Sequence, residues 1–212
     1  ALRTSLELAF WSCLAAAILG TLGAVGMARA SFRGQGLLEG VTTLPIMLPE
    51  VVMGMAFMAA FSTARLPFGM VTLVIAHTTF CIPYVFLIVK GRLAGMDPQL
   101  SEAARDLGAS PVRAFLDITL PLILPAVFSG MLLSVAMSLD DLIISTFVTG
   151  ATTSTLPLKI YSSLRAGVSP EINALCTLML GVVCIAVALS QLMKGRHANP
   201  VHHEQEVSPH DP

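Results

Sequence analysis

The sequence predicts an all-α protein, a polytopic transmembrane helical bundle, and three observations support that fold class. The chain is 55% hydrophobic and only 12% charged, whereas soluble domains carry about 25% charged residues. Its mean hydropathy of +0.79 is correspondingly high. Its apolar residues are gathered in runs of about 20, which is the length that a helix needs to cross a bilayer. The net charge of −1 gives no basis for binding nucleic acid.

Five runs have this length and composition, and each is expected to cross the lipid bilayer. In chain order they cover residues 6–27, 37–61, 68–89, 122–148 and 172–193. We therefore expect one transmembrane domain over residues 1–196. Residues 197–212 are polar and contain little that a core would bury, so they are expected to form a disordered cytoplasmic tail.

The positively charged residues predict how these spans are oriented. Arg29, Arg33, Lys90, Arg92, Arg105, Arg113, Lys194 and Arg196 would face one side, and Arg3, Arg65, Lys159 and Arg165 the other. Because loops on the cytoplasmic side carry the excess of positive charge, the larger group is expected to face the cytoplasm. The loop 90–121 then lies inside the cell, and the segment 149–171 lies outside.

Prolines interrupt two of the predicted spans. Pro45 and Pro49 lie in the second span and Pro83 in the third. A proline removes one helical hydrogen bond and kinks the helix. Two interpretations stay open, namely a fixed packing geometry and a helix that bends during a transport cycle.

The cytoplasmic loop 90–121 begins with the pattern of a short amphipathic helix. Asp97 suits the N-cap and Pro98 the first helical position. Four residues then recur with helical spacing and form a narrow apolar stripe: Leu100, Ala103, Ala104 and Leu107. The stripe lacks the tryptophan or lysine anchors of an interfacial helix, so it suits a protein groove better than a lipid surface.

A sharp turn is predicted directly after this helix. Gly108 suits the left-handed residue that ends a helix. Ser110 and Pro111 then start a second short helix, which Leu120 and Pro121 are expected to close. The loop is therefore predicted to present a rigid knob beneath the membrane.

The segment EAARDLGASPVRAFLDITLPLILPAV, residues 102–127, resembles the EAA motif of binding-protein-dependent ABC importer permeases. The matching residues are Glu102, Ala103, Ala104, Gly108, Ile118, Leu120 and Pro121. The resemblance implies a MetI-like permease that lacks a nucleotide site and docks this loop on a separate ATPase subunit. The residues expected to make that coupling contact are Glu102, Ala103, Ala104, Leu107 and Gly108. Permeases of this family usually have six spans, so the first span is expected to be missing from these five.

Within this family the chain looks most like the spermidine/putrescine permease subunits. The most distinctive segments are SLDDLIISTFVTG, residues 138–150, and TLPLKIYSSLRAGVSPEINAL, residues 155–175. The resemblance implies a polyamine importer of the bacterial inner membrane. Its expected partners are a second permease subunit, two ABC ATPase subunits and a periplasmic substrate-binding protein. Related permeases for iron, thiamine or phosphonates share much of the pattern, so those solutes stay as alternatives.

Three acidic residues within the apolar runs are the candidates for the substrate path: Asp140 and Asp141 in the fourth span and Glu50 in the second. Ionisable residues inside a membrane are costly and usually functional. A polyamine needs spaced carboxylates for its ammonium groups and apolar or aromatic surface for its methylenes. Neighbours on a helix point about 100° apart, so at most one of the two aspartates is expected to face the path. The alternative is that the acids join two subunits or cap a broken helix.

A functional role for His77, and assignment of the chain to another class of protein, are less well supported. His77 is more typical of a hydrogen bond between packed helices than of a proton relay. An intramembrane enzyme would need a nucleophile with a base or a metal cluster, and the sequence has neither pattern. A secondary transporter would leave the EAA-like loop unexplained. We therefore expect a non-catalytic subunit without a cofactor or a bound metal.

Overall fold

The computed structural model describes residues 1–29, 33–97 and 99–166, together with residues 170, 173–174, 176–178, 180–181 and 184–185. Within those residues the secondary structure is helical and without strands, which confirms the predicted all-α class. In chain order the helices are α1 (Leu2–Arg29), α2 (Gln35–Met47), α3 (Glu50–Thr63), α4 (Met70–Ala94), α5 (Gln99–Asp106), α6 (Pro111–Ala114), a π-turn (Phe115–Thr119), α7 (Leu120–Asp140), α8 (Ile143–Val148) and α9 (Leu156–Ala166).

Three helices in this part of the chain are long and apolar enough to cross a membrane. They are α1, α4 and the continuous helix Pro111–Asp140. The first two confirm the first and third predicted spans. Pro83 lies inside α4 without ending it, so this proline does not interrupt the third span as its position suggested.

The second predicted span, residues 37–61, is interrupted, as its prolines predicted, and is not one continuous helix. It consists of α2 and α3, which meet at an angle of 111°. Leu48 at the junction is extended, with φ −88° and ψ 138°, because the ring of Pro49 disfavours the helical conformation of the residue before it. Pro45 lies inside α2 and does not end it.

The fourth predicted span, residues 122–148, is broken as well. Its helix ends at Asp140, and α8 starts separately at Ile143 because Asp141 is extended, with ψ 119°. The expected end of a short helix at Leu120 and Pro121 was also wrong, since the helix continues there through the π-turn. Pro121 has no N–H group, so one backbone hydrogen bond of the helix is lost there. The π-turn in the preceding residues accommodates that loss.

The π-turn is held from α1 by one arginine. The Nη2 group of Arg29 donates to the Oγ1 of Thr119 at 3.0 Å. The Cζ atom of the same guanidinium lies 5.0 Å from the centroid of the Phe115 ring, close enough for a cation–π contact. Arg29 therefore contacts both the first and the last residue of the π-turn.

The core lies where α1, α4 and α7 pack against one another. A Cβ atom at Gly20 of α1 would lie 2.9 Å from the Cβ of Val85 on α4. A Cβ atom at Gly130 of α7 would lie 3.0 Å from the Cα of the same valine. Glycine at both positions thus lets two helices approach α4 closely, as small residues do between membrane helices.

The short helix α8 packs against α3 and α4. The Oγ1 of Thr72 on α4 donates to the carbonyl oxygen of Val148 at 2.8 Å. Gly54 of α3 leaves space for the Phe147 ring, which a Cβ there would overlap. These contacts fix α8 beside the break in α7.

The described residues up to 162 form one compact unit, and those from 163 onward belong to a second one. Within the second unit, the described positions between 170 and 185 are helical. The remainder of the predicted fifth span, 172–193, and the whole predicted tail, 197–212, lie outside the described residues.

Candidate functional site

Asp141 occupies the break between α7 and α8 and is almost fully buried. Its Oδ1 accepts a hydrogen bond from the N–H of Ile144 at 3.1 Å, and its Oδ2 accepts one from the N–H of Ser145 at 2.8 Å. The first N–H groups of a helix have no partner within the helix, so this carboxylate caps α8. Asp141 therefore has the role given above as the alternative, in which one of these acids caps a broken helix.

The same carboxylate faces His77 of α4, whose side chain is fully buried. The Nε2 of His77 lies 3.3 Å from the Oδ2 of Asp141 and 3.1 Å from the Oγ of Ser145. Its Nδ1 lies 2.8 Å from the Oγ of Ser138. His77 thus connects α4 to residues on both sides of the break, which is the helix-packing role expected of it.

The two adjacent aspartates have different surroundings. Asp141 is buried, whereas Asp140, the last residue of α7, is exposed. Asp141 also lines a cavity that Asp140 does not line. The two aspartates thus differ in burial and in access to this cavity, and which of them faces a substrate path stays a prediction.

The cavity lies where the two broken helices meet and has a volume of about 100 Å³. Glu50 and Asp141 both line it, one from each broken helix. Glu50 is in the first turn of α3, directly after Pro49, where the helix dipole favours a negative charge. Two carboxylates 91 positions apart in the chain are therefore brought to a single cavity by two separate helix breaks.

The rest of the cavity wall is mainly apolar. Phe80 and Tyr84 of α4 contribute aromatic rings, and Met53 and Met137 contribute thioethers. The end of α2 completes the wall with residues that include Leu48. Carboxylates set among aromatic and thioether groups suit a small alkylammonium, because the charge meets the acids and the methylenes meet the apolar wall.

Sequence reasoning missed Phe80, Met53 and Met137 as parts of this site. They look like ordinary core residues of their helices, and no local spacing sets them apart. Ser138 and Ser145 were also missed, although both lie close to Asp141 in the chain.

The coupling residues predicted from the EAA-like segment lie together on α5 and the turn after it. The Oδ1 of Asp97 accepts from the N–H of Gln99 at 2.9 Å, as expected of an N-cap, while Pro98 lies outside the described residues. Gly108 has φ +88°, the predicted left-handed conformation, and the N–H of Ala109 donates to the carbonyl oxygen of Ala104 at 3.0 Å. The sharp turn after α5 is thus confirmed.

The outer surface of this element is poorly covered. Leu107 is 90% exposed and Leu100 is 47% exposed. A cavity of about 620 Å³, lined by Glu102 and Arg105 of α5 and by Arg29 of α1, opens beside the helix. Part of the apolar stripe of α5 is thus left uncovered within this chain.

Comparisons with known proteins agree with this architecture. Residues 15–195 match the family described as "Binding-protein-dependent transport system inner membrane component". The spermidine/putrescine transport system permease protein PotC of Haemophilus influenzae is 43% identical over 189 residues, 89% of this chain and 74% of that protein. The putrescine transport system permease protein PotI of Escherichia coli K12 is 42% identical over 203 residues, 92% of this chain and 72% of that protein.

Among solved structures, the crystal structure of an amino acid ABC transporter with histidines is similar in fold. It superposes with a TM-score of 0.64 at 19% sequence identity and covers 92% of this chain and 91% of its own. At that identity the similarity supports the fold alone.

Proposed function

We propose that this chain, which belongs to the family of binding-protein-dependent transport system inner membrane components, is the permease subunit of an ABC importer for polyamines. Its relatives at 42–43% identity are named as spermidine/putrescine and putrescine permeases. The substrate class is therefore a flexible cation with two or more ammonium groups. The chain itself carries no catalytic step.

The observation that carries the proposal is the cavity that joins Glu50 and Asp141. A buried carboxylate is stable when it is hydrogen-bonded, and Asp141 accepts two backbone hydrogen bonds. Glu50 is stabilised by the start of α3. Both acids are thus held in place without a cation, and together they offer two anionic groups to a dication that enters.

Energy for transport comes, in this proposal, from two ABC ATPase subunits, one of which binds the coupling loop of this chain. The exposed Leu107 and the residues Glu102, Ala103, Ala104 and Gly108 would form the contact. A second permease subunit would complete the path, and a periplasmic binding protein would deliver the polyamine. Closure of the ATPase dimer would move the coupling loops together and expose the cavity to the outside, as alternating access requires.

The chain is proposed to lie in the bacterial inner membrane as a multi-pass subunit. Three described helices are long and apolar enough to cross it, and the bent pair α2 and α3 is a broken span or a re-entrant segment. The basic residues Arg29, Lys90 and Arg92 lie near one end of these helices, which would be the cytoplasmic end.

Uptake of labelled spermidine and putrescine tests the proposal, in cells without their own polyamine importers that express the complete gene and its neighbouring subunits. Asp141→Asn keeps the shape of the side chain and one of the two capping oxygens but removes the charge and the second acceptor, so assembly of the variant complex is measured alongside uptake. We expect uptake to fall about tenfold or more, because a charge-assisted contact with the cargo is lost. Asp140→Asn is the matched control, since Asp140 is exposed and outside the cavity.

Other outcomes would select among the alternatives. A complex that assembles but takes up neither amine would overturn the polyamine proposal, and iron, thiamine and phosphonates would be assayed next. Polyamine uptake by this chain without any ATPase subunit would instead indicate a secondary transporter.

A further inference from the structure

A groove of about 320 Å³ runs between α1 and α7 on the surface of the bundle, and its wall is apolar except for one threonine. The residues that line it are Leu14, Ala17, Ile18, Thr21, Leu22, Phe115, Leu120, Leu124, Val127 and Met131. From Leu14 to Leu22 it extends about 12 Å along α1, close to the thickness of one hydrocarbon leaflet, which is about 15 Å. An extended acyl chain has the length and the polarity that such a groove suits.

The groove leads toward the cavity of about 620 Å³ beside α5. Arg29 lies seven residues after Leu22 and therefore on the same face of α1. Its guanidinium lies over the ring of Phe115, which lines the groove, while Arg29 itself lines the cavity. The apolar groove and the cavity thus meet at the contact between Arg29 and Phe115.

The wall of this cavity carries charges of both signs. Arg29 and Arg105 are its cations, and Asp97 and Glu102 are its acids. No ion pair joins any two of these four residues in the part of the chain that the structure describes. Arg29 donates one N–H to Thr119, and a guanidinium has five, so donors remain for a ligand. Two cations and two carboxylates match a headgroup that carries both a phosphate and an ammonium.

We propose that the groove and the cavity together bind one molecule of phosphatidylethanolamine from the leaflet at this end of the bundle. An acyl chain lies between α1 and α7, the phosphate binds Arg29 and Arg105, and the ammonium binds the two acids. Basic pockets between membrane helices bind phosphate headgroups, and the acids here favour a zwitterionic headgroup over an anionic one.

The position of the cavity gives this lipid a structural role. The cavity lies between α5 and the ends of α1 and α4, so a headgroup bound there fills the space between that helix and the bundle. The lipid thereby supports the helix that carries the proposed ATPase contact. Its binding requires the chain to lie in a membrane but does not depend on which solute is carried.

Native mass spectrometry tests the proposal on the complete complex, which is stripped of lipid in detergent and titrated with phosphatidylethanolamine or with phosphatidylglycerol. We expect the wild type to bind phosphatidylethanolamine more tightly than phosphatidylglycerol. Arg105→Gln should weaken the binding of phosphatidylethanolamine about tenfold, because one charge-assisted contact with the phosphate is lost. Leu22→Trp should weaken the binding of both lipids, because the indole would fill the groove.

Each variant has a matched control. Arg113 is an exposed arginine of the same loop that does not line the cavity, and Leu19 is an exposed leucine of α1 outside the groove. Arg113→Gln and Leu19→Trp should therefore bind lipid as the wild type does. Tighter binding of phosphatidylglycerol, or equal losses in a variant and its control, would overturn the inference. A wild-type complex that binds neither lipid would also overturn it, since another subunit would then cover the groove.

Discussion

The Nε2 of His77 and the Oδ2 of Asp141 lie 3.3 Å apart, although 64 positions separate the two residues in the chain. The pair joins α4 to the break between α7 and α8, and two serine hydroxyls complete the contact. The position of the Asp141 carboxylate in the cavity thus depends on a residue of another helix.

We predict that His77→Ala lowers the stability of the folded chain. Hydrogen bonds between membrane helices contribute about 0.6 kcal/mol each, so the loss of the contacts to Asp141, Ser138 and Ser145 should cost on the order of 1–2 kcal/mol. The thermal midpoint of the purified complex measures this effect. His77→Asn should recover part of the loss, since its amide can still bond one of the serines. An unchanged midpoint for His77→Ala would show that these contacts contribute no stability.

Gly20→Ala should destabilise the bundle by about 1–3 kcal/mol, the usual cost of overpacking. A Cβ at this position would lie 2.9 Å from the Cβ of Val85 and 3.0 Å from the carbonyl oxygen of Ile82, so the helices would have to move apart. Gly26→Ala on the same helix is the matched control, because a Cβ there meets no atom within 4 Å. Thermal unfolding in detergent compares the two, and equal midpoints would contradict the close approach at Gly20.

Gly108→Val should abolish transport while the chain still inserts into the membrane. Gly108 has φ +88°, a conformation that costs a β-branched residue about 1–3 kcal/mol, so the turn after α5 should change shape. ATP hydrolysis stimulated by the binding protein and polyamine uptake should fall together. Gly95→Ala serves as the control, since Gly95 has φ −90° and room for a Cβ. Normal uptake by the Gly108 variant would argue against the coupling role of this turn.

Leu107→Ser should weaken the proposed contact with the ATPase without affecting the fold of this chain. Leu107 is 90% exposed, so its removal costs little within the subunit. Burying a leucine in a partner surface contributes about 1.5–3 kcal/mol, and that amount should be lost from binding. Co-purification of the ATPase over a series of salt and detergent conditions measures the loss, and the thermal midpoint of the isolated chain should stay unchanged. Full retention of the ATPase would place the contact elsewhere.

Much of the fold was predictable because the deciding signals are local. The apolar runs of α1 and α4 are long and carry charges only near their ends, and the Gly108 turn follows from the conformation that glycine adopts easily. The same local patterns predicted the cap at Asp97.

The two helix breaks were predicted unequally, for a physical reason. Pro49 marked the first break in the sequence, whereas the fourth apolar run resumes directly after Asp140 and Asp141, so the hydropathy pattern predicts a single span there. The break at Asp141 depends on a carboxylate that replaces the helical hydrogen bonds it interrupts, and on His77, which lies far away in the chain. The cavity could not be predicted at all, because Phe80, Met53 and Asp141 meet only after the helices have packed.

The continuous helix Pro111–Asp140 has a mechanical consequence. Arg29 contacts it at Phe115 and Thr119, close to its N-terminal end. About 12 Å of helix lies before Thr119 and about 31 Å after it, at 1.5 Å per residue. Beyond that point α7 also packs on α1 and α4. A push at Pro111 would therefore be shared with both neighbouring helices before it reaches Asp140, beside the break and the cavity.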